Sequence, residues 1–261
     1  MALDLVGALE REGAALAAAA RSGPLDAVVP SCPEWDLGAL VVHTGRVQRW
    51  ATVAIRGRGE PAGRFPKPPE DPAEVADWFE AGLTDLVAAL RAEPDEAPAW
   101  NFAGVEPATV AFWRRRMAQE AAMHRWDAEA AIGAPGAIDP ELATDGIDEL
   151  MAFFAARRLA QIEGGVDLGG TVHVHCTDVP GEWTFTARGT TFEVTPGHAK
   201  GDVALRGPAG ELLLVLWGRR SLEDATSGAS AAGASAGGGG GGLEVFGDRA
   251  VAERWLALGM P

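Results

Sequence analysis

The hydrophobic pattern of this chain first departs from helical spacing at Gly164-Gly165, and a chain that does so must build two different kinds of layer. Upstream, segments rich in Ala, Leu and Glu repeat with helical spacing. They predict helices over residues 3–20, 37–57, 71–90, 107–132 and 139–162. Asp36 is placed to cap the second, and Asp71-Pro72 and Asp139-Pro140 each set a cap before a proline at the first helical position. Downstream, residues 171–177, 182–186 and 191–195 alternate with period two between Gly- and Pro-containing turns, which predicts antiparallel strands. Residues 202–206 and 243–246 add two shorter strands. A helix is expected from Pro208 to about residue 219, and another from Asp248 to about residue 258. Residues 226–242, ending in six glycines, offer nothing to bury and are expected to form a flexible loop. The expected fold class is a two-domain α+β protein, with a helical bundle over residues 1–163 and an α+β domain with an antiparallel sheet over residues 164–261.

Charge and composition remove several functions. Asp and Glu number 37 against 22 Lys and Arg, a formal net charge of -15, so the long-range field opposes nucleic acid or an anionic membrane surface as the main partner. No run approaches the roughly 20 apolar residues of a membrane span. The first residues lack a basic, apolar signal sequence, and a cytoplasmic location with reduced thiols is expected. The two cysteines, Cys32 and Cys176, are too far apart in sequence for a CxxC motif. Cys32 lies in a Pro-bounded turn with no adjacent histidine to activate it, and Cys176 alternates to the core side of its strand. Tyrosine is absent, so no mechanism can use a phenol.

The sharpest local feature is Glu120-Ala-Ala-Met-His124-Arg-Trp-Asp127 on the fourth helix. Glu120 and His124 are one turn apart on a shared face, and Asp127 follows three residues later. A carboxylate and an imidazole so stacked can reach one metal ion, and His43 is the only other histidine of the bundle. Two His and one Glu match a catalytic zinc site with one open position. Taken alone, an E-x-x-x-H spacing also describes a solvated side-chain pair. Asp127 either orients a ligand imidazole or pairs with a nearby arginine and holds helices together. Of Arg114, Arg115 and Arg116, at most one can face this side of the helix. His173 and His175 share a strand face without an evident third ligand, and a half-exposed sheet face is the expected reading.

The segment Cys32-Pro-Glu-Trp-Asp-Leu-Gly-Ala-Leu-Val-Val-His43 resembles a signature of the mycothiol-dependent maleylpyruvate isomerase family. The helix Trp113-Arg-Arg-Arg-Met-Ala-Gln-Glu-Ala-Ala-Met-His-Arg-Trp-Asp127 resembles its second signature, and residues 201–219 are similar to its second-domain motif. The resemblance spans nearly the whole chain, apart from the Gly-rich insert. It implies a DinB-like four-helix bundle carrying one zinc, followed by a sterol-carrier-like α+β domain. It assigns the metal to His43, Glu120 and His124. It implies a catalytic arginine in the second domain, best matched by Arg219, with Arg206 and Arg220 as the other candidates. Asp127 joins Arg219 as a candidate catalytic residue.

The activity implied is a zinc- and mycothiol-dependent one. The thiolate of mycothiol adds to an activated cis double bond, the remaining single bond rotates, and elimination returns the thiol and the trans product. The same activated thiol could instead be transferred to an electrophile. The partners expected are a small thiol and a small electrophilic substrate, and the chain is expected to be a monomer. Two other readings follow from the same residues: a metal-dependent hydrolase with Asp127 or another carboxylate as base, and a non-catalytic small-molecule or lipid carrier.

Overall fold

The computed structural model describes residues 3–61, 67–227 and 242–260. The chain divides into two compact units, Met1–Gly136 and Ala137–Pro261.

The first unit is a bundle of four helices: α1 (Leu5–Ser22), α2 (Leu37–Gly57), α3 (Val75–Ala92) and α4 (Val110–Ala131). Asp4 caps α1 by accepting from the Gly7 amide, and Asp36 caps α2 by accepting from the Ala39 amide at 2.7 Å. Asp71-Pro72 opens a single 3-10 turn, Pro72–Glu74, that runs into α3. The fourth helix starts three residues after the expected Pro107. Residues 97–99 first pair with 108–110 as a short antiparallel bridge, in which Ala99 N–H donates to Ala108 and Val110 N–H donates to Ala97. In the bundle, α1 packs on α4 and α3, and α2 packs on α3 and α4. Small residues on α4 (Ala118, Ala121, Ala122) are fully or almost fully buried and let its neighbours approach closely.

The second unit begins with the helix expected to close the bundle. Asp139 caps α5 (Pro140–Glu149), a π turn spans Leu150–Phe154, and α6 (Ala155–Ala160) completes the rod. The boundary therefore falls near residue 136 rather than 163. The reason is packing: α5 lies against α7 (Ala209–Leu216) of the sheet domain.

The sheet has six strands: β1 (Val166–Asp167), β2 (Val172–Cys176), β3 (Glu182–Gly189), β4 (Thr191–Pro196), β5 (Val203–Gly207) and β6 (Glu244–Gly247). β3 pairs antiparallel with β1, β2 and β4, and β6 pairs antiparallel with β5. The expected antiparallel sheet has one exception, since β2 and β5 run parallel, His173 opposite Ala204 and His175 opposite Arg206. The alternation supplies the core. Val172, Val174 and Cys176 of β2, Trp183, Phe185 and Ala187 of β3, and Val203 and Leu205 of β5 are buried. Against this face lie Asp148 of α5, hydrogen-bonded by the Trp183 indole, and Trp255 of α9 (Arg249–Leu256), 4.5 Å from Phe185 between ring centroids. Cys176 is core, and burial pushes its thiol up to about 11. A short helix absent from the sequence reading, α8 (Leu222–Thr226), is capped by Ser221. Most of the stretch expected as a flexible loop, 226–242, lies outside the described residues. Among the described residues no helix is long and apolar enough to cross a membrane.

Trp255 is fully buried against Phe185 and Phe192. Trp255→Ala is expected to cost about 3–5 kcal/mol, the usual cost of truncating a large buried aromatic. Urea denaturation monitored by circular dichroism measures it.

Candidate metal centre

The chemically competent residues of the bundle converge where the early turns of α2 meet the middle of α4. These helices are neighbours, and His43 in the second turn of α2 meets the C-terminal half of α4. One ligand atom from each of His43, Glu120 and His124 lies within 4.8 Å of the others. His43 Nε2 is 3.4 Å from Glu120 Oε1, and His124 Nε2 is 3.2 Å from the same oxygen. The two imidazoles stand edge to face, with centroids 5.4 Å apart. Three donors directed at one small volume, two nitrogens and one oxygen, suit a divalent ion of zinc type.

Each donor is held by a further contact. Asp127 is completely buried, and its Oδ2 lies 3.0 Å from His124 Nδ1, on the side of the ring away from Glu120. Its Oδ1 accepts from the Ser31 hydroxyl at 2.6 Å. Of the two roles weighed from sequence, the contact with His124 Nδ1 is the one that orientation of an imidazole requires. A carboxylate there fixes the tautomer and angle of a ligand imidazole. On the other side, Arg116 lies 3.2 Å from Glu120 Oε2, leaving Oε1 toward the histidines. Arg116 is the one arginine of the three on this face. It is 5% exposed, while Arg114 reaches Asp95 and the carbonyls of Leu90 and Glu93. Sequence reasoning did not assign Arg116 a role, although its spacing of four from Glu120 was visible.

The turn before α2 closes one wall. Val29 N–H donates to Trp35, Cys32 N–H to Val29 and Trp35 N–H to Cys32, a tight set of bonds around the prolines. The turn presents Ser31 to Asp127 and lays the Trp35 ring 4.7 Å from His43 and 6.5 Å from His124. Cys32 is partly exposed and not among the clustered donors. His43 keeps 39% of its side chain exposed, which leaves that flank of the cluster accessible.

Electrostatics fit this layout. Burial raises the Glu120 pKa, but His124, His43 and Arg116 together outweigh it and hold the carboxyl well below its ordinary range. For His124, burial opposes the charge, yet Glu120 and Asp127 outweigh it and push the imidazole up to about 9.

The second-domain arginines are in the other unit. Arg206 pairs with Glu244 and Arg220 with Glu211. Arg219 follows α7, donates to the Trp217 carbonyl at 3.1 Å and lies 5.8 Å from the Trp217 ring centroid.

Two outcomes follow. Asp127→Asn is expected to weaken divalent-metal affinity by about 10–100-fold while leaving the helical signal intact, as loss of an orienting partner does; competition with a chromophoric chelator measures it. In the metal-free protein His124 holds its proton more tightly folded than unfolded. Its contribution to stability is therefore complete below pH 6.5 and lost as pH rises through about 9. Melting curves of metal-free protein should decline over that window more steeply than those of His124→Gln.

Comparison with known proteins agrees with this organisation. The family described as "Mycothiol maleylpyruvate isomerase N-terminal domain" matches residues 6–129, and "MDMPI C-terminal domain" matches residues 141–254. No curated protein matches the chain. Among solved structures, the crystal structure of a histidine-to-alanine mutant of mycothiol-dependent maleylpyruvate isomerase is similar in fold. Its TM-score is 0.52 and its identity 12%, over 83% of this chain and 89% of that one. With both domains matched, in order and on either side of the boundary between the two units, the chain belongs to the mycothiol-dependent maleylpyruvate isomerase family.

Proposed function

We propose that this chain is a metal-dependent enzyme that uses mycothiol to isomerise a cis double bond conjugated to a carbonyl, of the maleylpyruvate type. The observation that carries the reading is the convergence of His43, Glu120 and His124 on one point, inside a domain of this family. These three residues would hold the ion, zinc by their donor set. An ion there would supply a Lewis acid that favours the thiolate form of a bound thiol at neutral pH.

The chain's own groups do the rest. Asp127 keeps His124 turned so that Nε2, not Nδ1, faces the cluster. Arg116 holds one oxygen of Glu120 and frees the other for the donor set. Trp35 packs on the imidazoles and excludes water from one flank, while the exposed side of His43 leaves an approach for thiol and substrate. Arg219 is assigned to grip a substrate carboxylate, for which a guanidinium offers two parallel donors. Addition, rotation and elimination return the thiol unchanged, so the isomerisation consumes none. Transfer of the thiol to an electrophile would use the same residues and consume one thiol per turnover.

The hydrolase reading is weaker in one respect. Asp127, its candidate base, is fully buried and engaged by His124 and Ser31, so it is poorly placed to take a proton from water.

The test is to incubate zinc-loaded protein with mycothiol and maleylpyruvate and to follow the trans isomer by chromatography, with mass spectrometry for adducts. Isomer formed with mycothiol recovered supports isomerisation, whereas accumulation of a thiol adduct supports transfer. Turnover of a substrate panel at equal rates without thiol would overturn the reading. Glu120→Gln is expected to lower both metal content and activity. Arg219→Ala is expected to retain the metal and lose at least tenfold in kcat/KM.

A further inference from the structure

We propose that the sheet domain carries a second metal site, formed by His173, His175, Glu182 and His198, which takes a divalent transition ion of zinc type and fastens the β4–β5 loop to the sheet.

The four residues come from three elements. His173 and His175 alternate onto the same face of β2, opposite the side that builds the core. Glu182 begins β3 and pairs directly with His175 across the ladder. His198 lies in the loop between β4 and β5, just after Gly197. One donor atom from each lies within 4.8 Å of the other three. The glutamate is the hub: His175 Nδ1 is 2.5 Å from Oε1, His198 Nδ1 is 3.1 Å from Oε2 and His173 Nε2 is 3.5 Å from Oε2. With bonds of about 2.0–2.1 Å, donors around a tetrahedral zinc stand roughly 3.3–3.4 Å apart. The separations to one or the other glutamate oxygen fall on both sides of that value, and one donor from each of the four residues lies within 4.8 Å of the rest.

A hydrogen-bonded His–Glu cluster accounts well for His175 and His198, but it holds His173 only through a long 3.5 Å contact with Glu182 Oε2. His173 is 7% exposed, and its buried Nε2 faces the cluster with no well-formed hydrogen bond, only the 3.5 Å contact with Glu182 Oε2. Its cross-strand neighbour Thr184 also has a buried hydroxyl with no partner. Buried polar atoms are rarely left so, and a bound ion is one of the few things that would satisfy the imidazole nitrogen. The burial itself comes from the β4–β5 loop. Gly201 lies so close to His173 that a Cβ there would meet its backbone nitrogen at 2.9 Å. The loop that supplies His198 is thus the one laid over His173. Four protein donors leave no open position, which is the pattern of a structural ion rather than a catalytic one. Three imidazoles and one carboxylate select zinc, nickel or copper over magnesium or calcium.

The experiment is zinc stoichiometry on the full chain, stripped with a chelator, dialysed against micromolar zinc and analysed by elemental mass spectrometry. Wild type should hold two ions. His124→Ala should retain one and His198→Ala should retain one, while the double variant should hold none. His198 is 80% exposed at its side chain, so its removal does not threaten folding, and circular dichroism checks this. Cobalt loaded into His124→Ala should give the visible bands of four-coordinate cobalt, and His175→Ala in that background should abolish them, with at least a tenfold loss of zinc affinity. The proposal is overturned if folded His124→Ala holds no zinc, or if the double variant holds as much as His124→Ala. A wild-type protein holding a single ion that survives His124→Ala and is lost in His198→Ala would instead overturn the bundle site and leave this one standing.

Discussion

A helix buried on nearly all sides can carry charge only if every charge meets a partner, and α4 depends on that condition. Arg116, His124, Arg125 and Asp127 are all buried within it. Three of them form a column along one face with Glu120: Arg116 to Glu120, Glu120 to His124, His124 to Asp127, at spacings of four, four and three residues. Arg125, on another face, ties Glu129 on its own helix to Glu12 on α1. Neutralising any one member would take a charged partner from its neighbours, so the column is held by its own electrostatics as well as by packing. The candidate metal donors are two members of that column, completed by His43 from α2.

Much of this was legible in the sequence because it is local. The spacing of Glu120, His124 and Asp127 fixes their shared face whatever the rest of the chain does. The Asp-Pro pairs at residues 71 and 139 announce helix starts for the same reason. The parallel pairing of β2 with β5 was hidden, since an alternating pattern states which face a residue takes and not which way its neighbour runs. The unit boundary was hidden too. The helix from residue 140 has the composition of the bundle helices, and only its contact with α7 assigns it to the second unit.

The histidines of β2 illustrate the same limit. Two imidazoles at alternate strand positions were visible, but Glu182 reaches them through hairpin register and His198 through the path of a loop. Neither relation has a sequence period. The contrast with α4 is instructive: a donor set on one helix can be read from spacing, while one gathered by a sheet and a loop emerges only from the fold.

Trp35 has a consequence of an optical kind. With no tyrosine, the near-ultraviolet emission of this chain comes from its nine tryptophans. Among the described ring contacts, Trp35 is the indole that reaches both His43 and His124. A cation near an aromatic face perturbs its electrons, so charge arriving at those imidazoles is registered by a neighbouring chromophore. The difference in emission between wild type and Trp35→Phe is therefore an intrinsic signal from this corner of the bundle, read without a label or a substrate.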